Sequence, residues 1–296
     1  VKILVTGREG QVVQSLIEKA ALRPDLQLVA MGRPDLDLAR PETVLAAISE
    51  VQPDLVVSAA AYTAVDQAED EPEAAFAVNA AGAHAVAEAA RACGAPVIHL
   101  STDYVFAGDS GKAYVESDPV GPKGVYGRSK LEGERLVAEA HPEHIILRTA
   151  WVYSPFGKNF VKTMLRVAET RERLSVVSDQ WGNPTSALDI ADAVLRVADH
   201  LAGKADFAGY GIYHLAGTGD TNWSGFARGI FAESARNGGP VAEVIDIATS
   251  QYPTKAVRPA NSRLSTEKFR KTFGWSMPEW QASLRDVVKR IVSPAV

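Results

Sequence analysis

A doubly wound parallel α/β sheet with a smaller C-terminal lobe is the fold this 296-residue sequence predicts. Three observations predict it. Short β-branched runs alternate with helical patterns through the first 150 residues, and the first such pair is joined by a glycine turn. Beyond that point the alternation gives way to loop-rich stretches carrying Trp, Asn and Gly. Repeated strand and helix patterns of this kind belong to parallel sheets covered on both faces.

The first strand, Val1–Thr6, stops at Gly7, and a helical pattern starts at Gly10. Strand, glycine turn and helix together make the context in which a dinucleotide pyrophosphate binds. Gly7 permits the tight turn, Gly10 lets the backbone approach, and the helix opened by Gln11 and Val12 turns its N-terminus to the charge. The pattern TGxxGxxG would put a third glycine at Val13, and a plain structural turn is the competing reading. The second strand, Leu26–Ala30, runs into Gly32 and Arg33 with no carboxylate for a ribose. Arg33 therefore offers a cation to a 2′-phosphate, which favours NADPH over NADH, with a solvated turn arginine as the alternative. Asp37 and Leu38 precede a helix over 41–51 and are placed to flank an adenine. The third strand, 54–58, leads into the small residues before Ala61, Tyr62 and Thr63, where a cofactor can lie close. An acidic stretch, 66–73, reads as helix N-terminal and surface charge ahead of a long helix through Asn79 to Ala92.

The next strand, 96–101, delivers Thr102 to the C-terminal edge of the sheet, where open α/β folds bind ligands. A Gly- and Pro-containing loop, 108–124, is placed to fold over a ligand, and a helix over 129–140 leads to a strand at 145–149. Tyr126 and Lys130 are four residues apart, so a helix projects both from one face. A phenol ordinarily titrates near pH 10 and exchanges protons poorly at neutral pH unless a cation favours the phenolate. Lys130 supplies such a cation, and with the Thr102 hydroxyl the three groups can polarise a carbonyl and protonate the alkoxide formed on its reduction.

The domain expectation is a nucleotide-binding unit over 1–150, joined by an apolar-faced helix over 186–201, and a second lobe over 151–185 and 206–296. In that lobe Trp151, Trp181 and Trp223 could stack on a base or sugar, or pack in a core; Arg258 and Arg263 could bind a diphosphate, or form ion pairs. The last helix, 279–292, is amphipathic and covers the core.

Composition narrows the function classes. A net charge of −5 gives no basic footprint for nucleic acid. The single Cys93 forms no intrachain disulfide, the six His lack metal-ligand spacing, and no 18-residue apolar run suggests a membrane span. The expectation is a cytoplasmic protein without a metal site.

The glycine turn, the run Ser101-Thr102-Asp103-Tyr104-Val105-Phe106, Tyr126-x-x-x-Lys130 and Arg148-Thr149-Ala150-Trp151-Val152-Tyr153 resemble the extended short-chain dehydrogenase/reductases, whose nucleotide-binding unit is Rossmann-type. Within them the chain is similar to the dTDP-4-dehydrorhamnose reductase family. The similarity continues through Asn159–Leu165, Asp179–Thr185 and Tyr252–Leu264. The resemblance implies NADPH-dependent reduction, with NADH as an alternative, of the C4 carbonyl of dTDP-4-keto-L-rhamnose. It implies Thr102, Tyr126 and Lys130 as the catalytic set. Gly7, Gly10, Gln11, Val12, Arg33, Asp37, Leu38, Ala61, Tyr62, Thr63 and the Tyr–Lys pair would hold the cofactor; Thr102, Asp103, Trp151, Asn159, Trp223 and Arg258 would meet the sugar nucleotide. Some relatives dimerise through a glutamate-bound magnesium, but Ser15 stands at the corresponding place, so that metal is not carried over; a homodimer is compatible with the chain. Two rivals share the resemblance: another nucleotide-sugar reductase or epimerase, and a non-catalytic regulatory subunit of methionine adenosyltransferase.

Overall fold

The computed structural model describes residues 1–203 and 207–293. In chain order the first half holds β1 (Lys2–Thr6), α1 (Gln11–Ala20), β2 (Gln27–Met31), α2 (Pro41–Val51), β3 (Leu55–Ser58), α3 (Pro72–Phe76), α4 (Ala83–Ala92), β4 (Val97–Thr102), α5 (Val125–Ala140) and β5 (His144–Thr149). The second half holds β6 (Val152–Tyr153), α6 (Phe160–Ala168), β7 (Arg173–Val177), β8 (Trp181–Gly182), β9 (Thr185–Ser186), α7 (Ala187–Ala202), β10 (Gly211–His214), β11 (Thr221–Asn222), α8 (Trp223–Arg236), β12 (Glu243–Ile247), α9 (Glu267–Phe273) and α10 (Trp280–Val292).

The main sheet is six-stranded and parallel throughout, in the order β2-β1-β3-β4-β5-β10. Its strands are almost continuously apolar because both faces are covered. Ile3, Val5, Val57, Ile98 and Leu147 pack with α1 and α7, while Leu4, Val56, Val97 and Ile146 pack with α2 and α4. Alternate residues thus serve opposite layers, as the two-residue period of a strand requires. The helix expected to return to the first half does so: α7 buries Ile190, Ala191 and Val194 in the layer that holds Val13 and Leu16 of α1.

The second lobe is more regular than its sequence suggests. β7 and β12 pair in parallel, and Leu165 of α6, Phe226 and Ile230 of α8, and Leu284 and Val288 of α10 close a separate core. Asn159, Ser186 and Asn222 cap α6, α7 and α8 with side-chain oxygens. The boundary expected at 206 and the terminus at 296 lie outside the described residues. The segment just beyond 206 does not all join the second lobe, since β10 extends the main sheet beside β5 and Phe269 of α9 packs in the main core. Four residues of strand are too few to show a period, so β10 reads as loop in sequence.

A candidate active site at the sheet edge

The order of the sheet reverses at β1, which lies between β2 and β3, and ligands of open α/β sheets bind outside the strand ends at such a point. There Gly7 has φ +105°, in the region L side chains avoid. A Cβ on it would lie 3.3 Å from Val13 Cγ2. At the departure from the three-glycine pattern, the Val13 methyl packs against the space that Gly7 and Gly10 leave. No side chain caps α1 at Gly10, so the N–H groups of its first turn, at Gln11 and Val12, stay available to an anion. Across the crevice Thr6 Oγ1 accepts from the N–H groups of Ala59 and Ala60, both at 3.0 Å, fixing the strand end that leads to Ala61. Asn79 then grips Tyr62, accepting from its N–H at 2.8 Å and donating to its carbonyl at 3.0 Å. Thr63 is exposed.

Arg33 is exposed at the end of β2. Arg8, which sequence reasoning passed over, crosses to the same place: it donates to the Arg33 carbonyl at 3.3 Å and to Asp35 at 2.5 Å. The signal was present, an arginine inside the glycine turn, yet its approach to β2 is a tertiary fact. Asp37 accepts from the Ala39 N–H, and Leu38 is buried so closely against the π-helical stretch Ala77–Gly82 that a Cβ on Gly82 would stand 2.6 Å from its carbonyl oxygen.

The three groups expected to react stand at the C-terminal end of β4 and in the first turns of α5. Thr102 Oγ1 donates to Asp103 Oδ1 at 2.9 Å and accepts from the Tyr104 N–H at 3.2 Å. α5 begins at Val125, four residues earlier than its pattern suggests, because Glu69 accepts from the Val125 N–H at 2.7 Å and so steadies its N-terminus. Tyr126 is thus in the first turn and Lys130 in the next. Close packing sets the height of α5: a Cβ on Gly127 would sit 2.3 Å from the Tyr104 carbonyl oxygen, and one on Gly133 2.1 Å from that of Asn79.

Lys130 is buried and donates to the Leu100 carbonyl at 2.7 Å, with His99 Nε2 at 3.3 Å. Burial lowers its pKa to about 8, against the opposing pull of Glu134. The Tyr126 phenol is pushed up, chiefly by burial, with the Thr102 side chain pulling it down and Asp103 and Tyr104 raising it further. Asp103 is buried and raised to about 6 by loss of solvent, with the Thr102 bond opposing. Beneath these groups lies a buried ion pair. Arg148 donates to both carboxylate oxygens of Glu134 at 2.9 and 2.7 Å, and Ser101 donates to Oε1 at 2.5 Å. It joins β4, β5 and α5 below the site.

The second lobe supplies the opposite wall. Trp151 has φ +46°, which for a residue other than glycine costs about 1–2 kcal/mol. It stacks on Trp223 with ring centroids 3.6 Å apart, and Phe160 packs on the far ring at 4.7 Å. The two indoles thus partner one another, while Trp181 stays 43% exposed. Asn159 does not leave its amide free for a sugar: Oδ1 accepts from the Lys162 N–H and Nδ2 donates to Gln11 Oε1 at 2.9 Å and to Ser154 and Phe156 carbonyls. Gln11 and Asn159 accordingly tie the head of α1 to the second lobe. Arg258 donates to Asp66 at 2.6 Å and to the Tyr104 hydroxyl at 3.1 Å, and Tyr104 meets Tyr126 edge to face at 5.7 Å. Arg263 pairs with Asp220 at 3.0 Å. The acidic stretch is therefore more than surface charge, since Asp66 and Asp70 hold Arg258 and Lys255 of the chain that crosses the site. That strap also covers the loop after β4, with Pro259 against Gly108 so tightly that a Cβ there would be 2.3 Å away.

Among the described residues no three His, Cys, Asp or Glu side chains gather to hold a metal ion, and Ser15 is buried with its hydroxyl donating to the Gln11 carbonyl. No described helix is long and apolar enough to cross a membrane.

The family model of the RmlD substrate binding domain matches residues 1–293. The chain belongs to this family. It is 51% identical over 287 residues to the dTDP-4-dehydrorhamnose reductase of Sinorhizobium fredii, covering 97% of this chain and 96% of that one. The Escherichia coli K12 enzyme of the same name is 42% identical over 295 residues, covering 98% and 97%. Among solved structures, the dTDP-4-dehydrorhamnose reductase of Bacillus anthracis in complex with NADP superposes with TM-score 0.89 at 34% identity, over 97% of this chain and 98% of that one. The UDP-glucose 4-epimerase of Thermus thermophilus shares the fold, with TM-score 0.77 at 20% identity over all of both chains. Family membership and the parallel sheet together establish the extended reductase architecture.

Proposed function

We propose that this enzyme reduces the C4 carbonyl of dTDP-4-dehydro-6-deoxy-L-mannose to give dTDP-L-rhamnose, with NADPH as reductant. The observation that carries the reading is family membership, supported by the place of Thr102 at the end of β4 and of Tyr126 and Lys130 in the first turns of α5, on a parallel sheet whose β1 leads into the uncapped head of α1. The residues fit a phosphorylated dinucleotide. Gly7 and Gly10 leave room for a pyrophosphate, the first turn of α1 presents N–H donors, and the exposed Arg33 stands at the end of β2 where a 2′-phosphate needs a cation, while Arg8 beside it bonds the Arg33 carbonyl and pairs with Asp35. Asp37, Leu38, Ala61, Tyr62 and Thr63 line the adenosine and ribose side.

The bound dinucleotide supplies hydride to the carbonyl carbon. Tyr126 gives its hydroxyl proton to the substrate oxygen; burial keeps the phenol protonated but makes it a weaker acid, so a neighbouring positive charge must ease the loss of the proton. Thr102, whose single hydroxyl proton rests on Asp103 Oδ1, turns it to the same oxygen when the substrate is bound. Lys130 keeps a positive charge beneath the phenol as its proton leaves. Asp103, Trp151, Trp223 and Arg258 hold the sugar nucleotide, Arg258 by trading Asp66 for the diphosphate. The cytoplasm is the proposed place of action, and a homodimer is the assembly to test by light scattering.

The test is consumption of NADPH and of NADH with the keto sugar nucleotide made in situ from dTDP-glucose by the upstream dehydratase and epimerase. The expected result is faster use of NADPH with dTDP-L-rhamnose as product. A folded protein that binds NADPH and consumes neither cofactor would refute the reading.

A further inference from the structure

His99 lies in the middle of β4, pointing to the face that α5 covers, and its ring is almost wholly buried. Both ring nitrogens have partners: Nδ1 lies 3.0 Å from Ser58 Oγ on β3, and Nε2 lies 3.3 Å from Lys130 Nζ. An ammonium has three N–H donors and no acceptor. Nε2 must therefore be the unprotonated nitrogen facing Lys130, which leaves the proton on Nδ1, donated to Ser58. Among the described residues Lys130 uses one donor on the Leu100 carbonyl and a second on His99, so one remains for a ligand.

We propose that His99, oriented by Ser58, is a positioning residue that holds Lys130 charged and aims its remaining N–H at the reacting groups. The charged and titratable groups around this pair agree. From α5 come Tyr126 and Glu134, from β4 Ser101 and Asp103, and from β5 Arg148, whose charge is committed to Glu134 by two hydrogen bonds. Glu134 favours the ammonium but is occupied by Arg148 and Ser101, which leaves His99 as the neutral side-chain acceptor in direct contact with Nζ. A second cation at position 99 would repel Lys130, and burial together with Lys130 holds the imidazole well below its ordinary pKa, hence neutral. Only the Lys130 side of this contact was visible in sequence, where His99 is one residue of an apolar strand run.

The inference rests on Lys130 being part of the active site, and the experiment separates the two. In His99→Leu the acceptor is lost, so Lys130 should deprotonate more readily: the alkaline limb of kcat against pH moves about one unit towards acid, and kcat at pH 7 falls about two-fold. His99→Gln, which can present an amide oxygen near the Nε2 position, should keep the parent limb. Ser58→Ala, which frees the ring to carry its proton on Nε2, should move the limb in the same direction as His99→Leu and by less; it decides the question if His99→Leu does not fold. An equal loss at every pH, or no shift in either variant, would overturn the proposal. If Lys130→Met keeps parental turnover, the active-site reading itself fails; if Lys130→Met is inactive while His99→Leu and Ser58→Ala keep the parent pH profile, only the role of His99 fails.

Discussion

The two walls of the site are held by different forces. On the sheet side, Thr102, Tyr126 and Lys130 stand on a strand end and a helix whose separation is fixed by backbone contacts at Gly127 and Gly133 and by the buried Glu134–Arg148 pair. On the lobe side, Trp151, Trp223 and Arg258 are held by ring stacking and by an ion pair in which Asp66 is 44% exposed. Buried pairs are costly to break because the remaining charge is stranded, whereas exposed pairs exchange readily. The difference assigns geometry to the sheet side and adaptability to the lobe. Chemistry that moves a proton needs the first; a wall that admits and releases a sugar nucleotide needs the second.

That contrast predicts a split between kcat and KM. The largest effect is expected at Lys130: Lys130→Met should lower kcat by about 10²–10⁴-fold with little change in KM for the sugar nucleotide, in steady-state assays at saturating NADPH. In the parent, kcat should fall as pH rises through about 8, where Lys130 loses its proton; a flat profile into the alkaline range would remove Lys130 from the chemistry. Trp223→Ala breaks the stack on Trp151 and should raise KM by about ten-fold, or ~1.4 kcal/mol, with kcat changed much less. If kcat fell as steeply as in Lys130→Met, the two walls would not be separable.

Asp103 sharpens the contrast through stability. Its folded pKa is about 6 against an ordinary 3.8, so the folded state binds the proton more tightly than the unfolded one. Stability attached to this group is complete below about pH 4 and is lost as pH rises to about 6, where the buried carboxylate becomes charged. Asp103→Asn should therefore be more stable than the parent by roughly 1–3 kcal/mol near pH 7, the gap closing below pH 4 in denaturant titrations, while KM for the sugar nucleotide rises. The smallest effect belongs to Asp66→Asn, which should cost less than about 1 kcal/mol of stability. It should still lower KM by freeing Arg258 for a diphosphate; a higher KM would mean that Asp66 positions Arg258 rather than competing for it.

What the sequence disclosed follows the same division. The turn at Gly7, the helix over 41–51 and the Tyr126–Lys130 spacing were legible because each is encoded within a few neighbouring residues, where periodicity and glycine placement act. The departure at Val13 was legible, but its packing against Gly7 was not, since that is a contact between the turn and the helix. The π-helical stretch around Asn79 and the cap that Glu69 places on α5 were invisible for the same reason: each joins residues about fifty apart. Asn159 shows the converse hazard. A polar residue in a motif of the resemblance reads as a ligand contact, yet its amide is spent on a helix cap and on Gln11. The spacing of Tyr126 and Lys130 was legible, but the burial that pushes the Tyr126 phenol up was not, since it comes from the packing of distant segments.

The central claim is that Tyr126 is the acid for carbonyl reduction, and the most direct measurement is single-turnover NADPH oxidation by Tyr126→Phe beside the parent, with NADPH affinity measured by fluorescence titration. Loss of the hydroxyl should slow turnover by about 10²–10⁴-fold while NADPH binds as in the parent. Turnover at the parental rate, with dTDP-L-rhamnose still formed, would contradict the account.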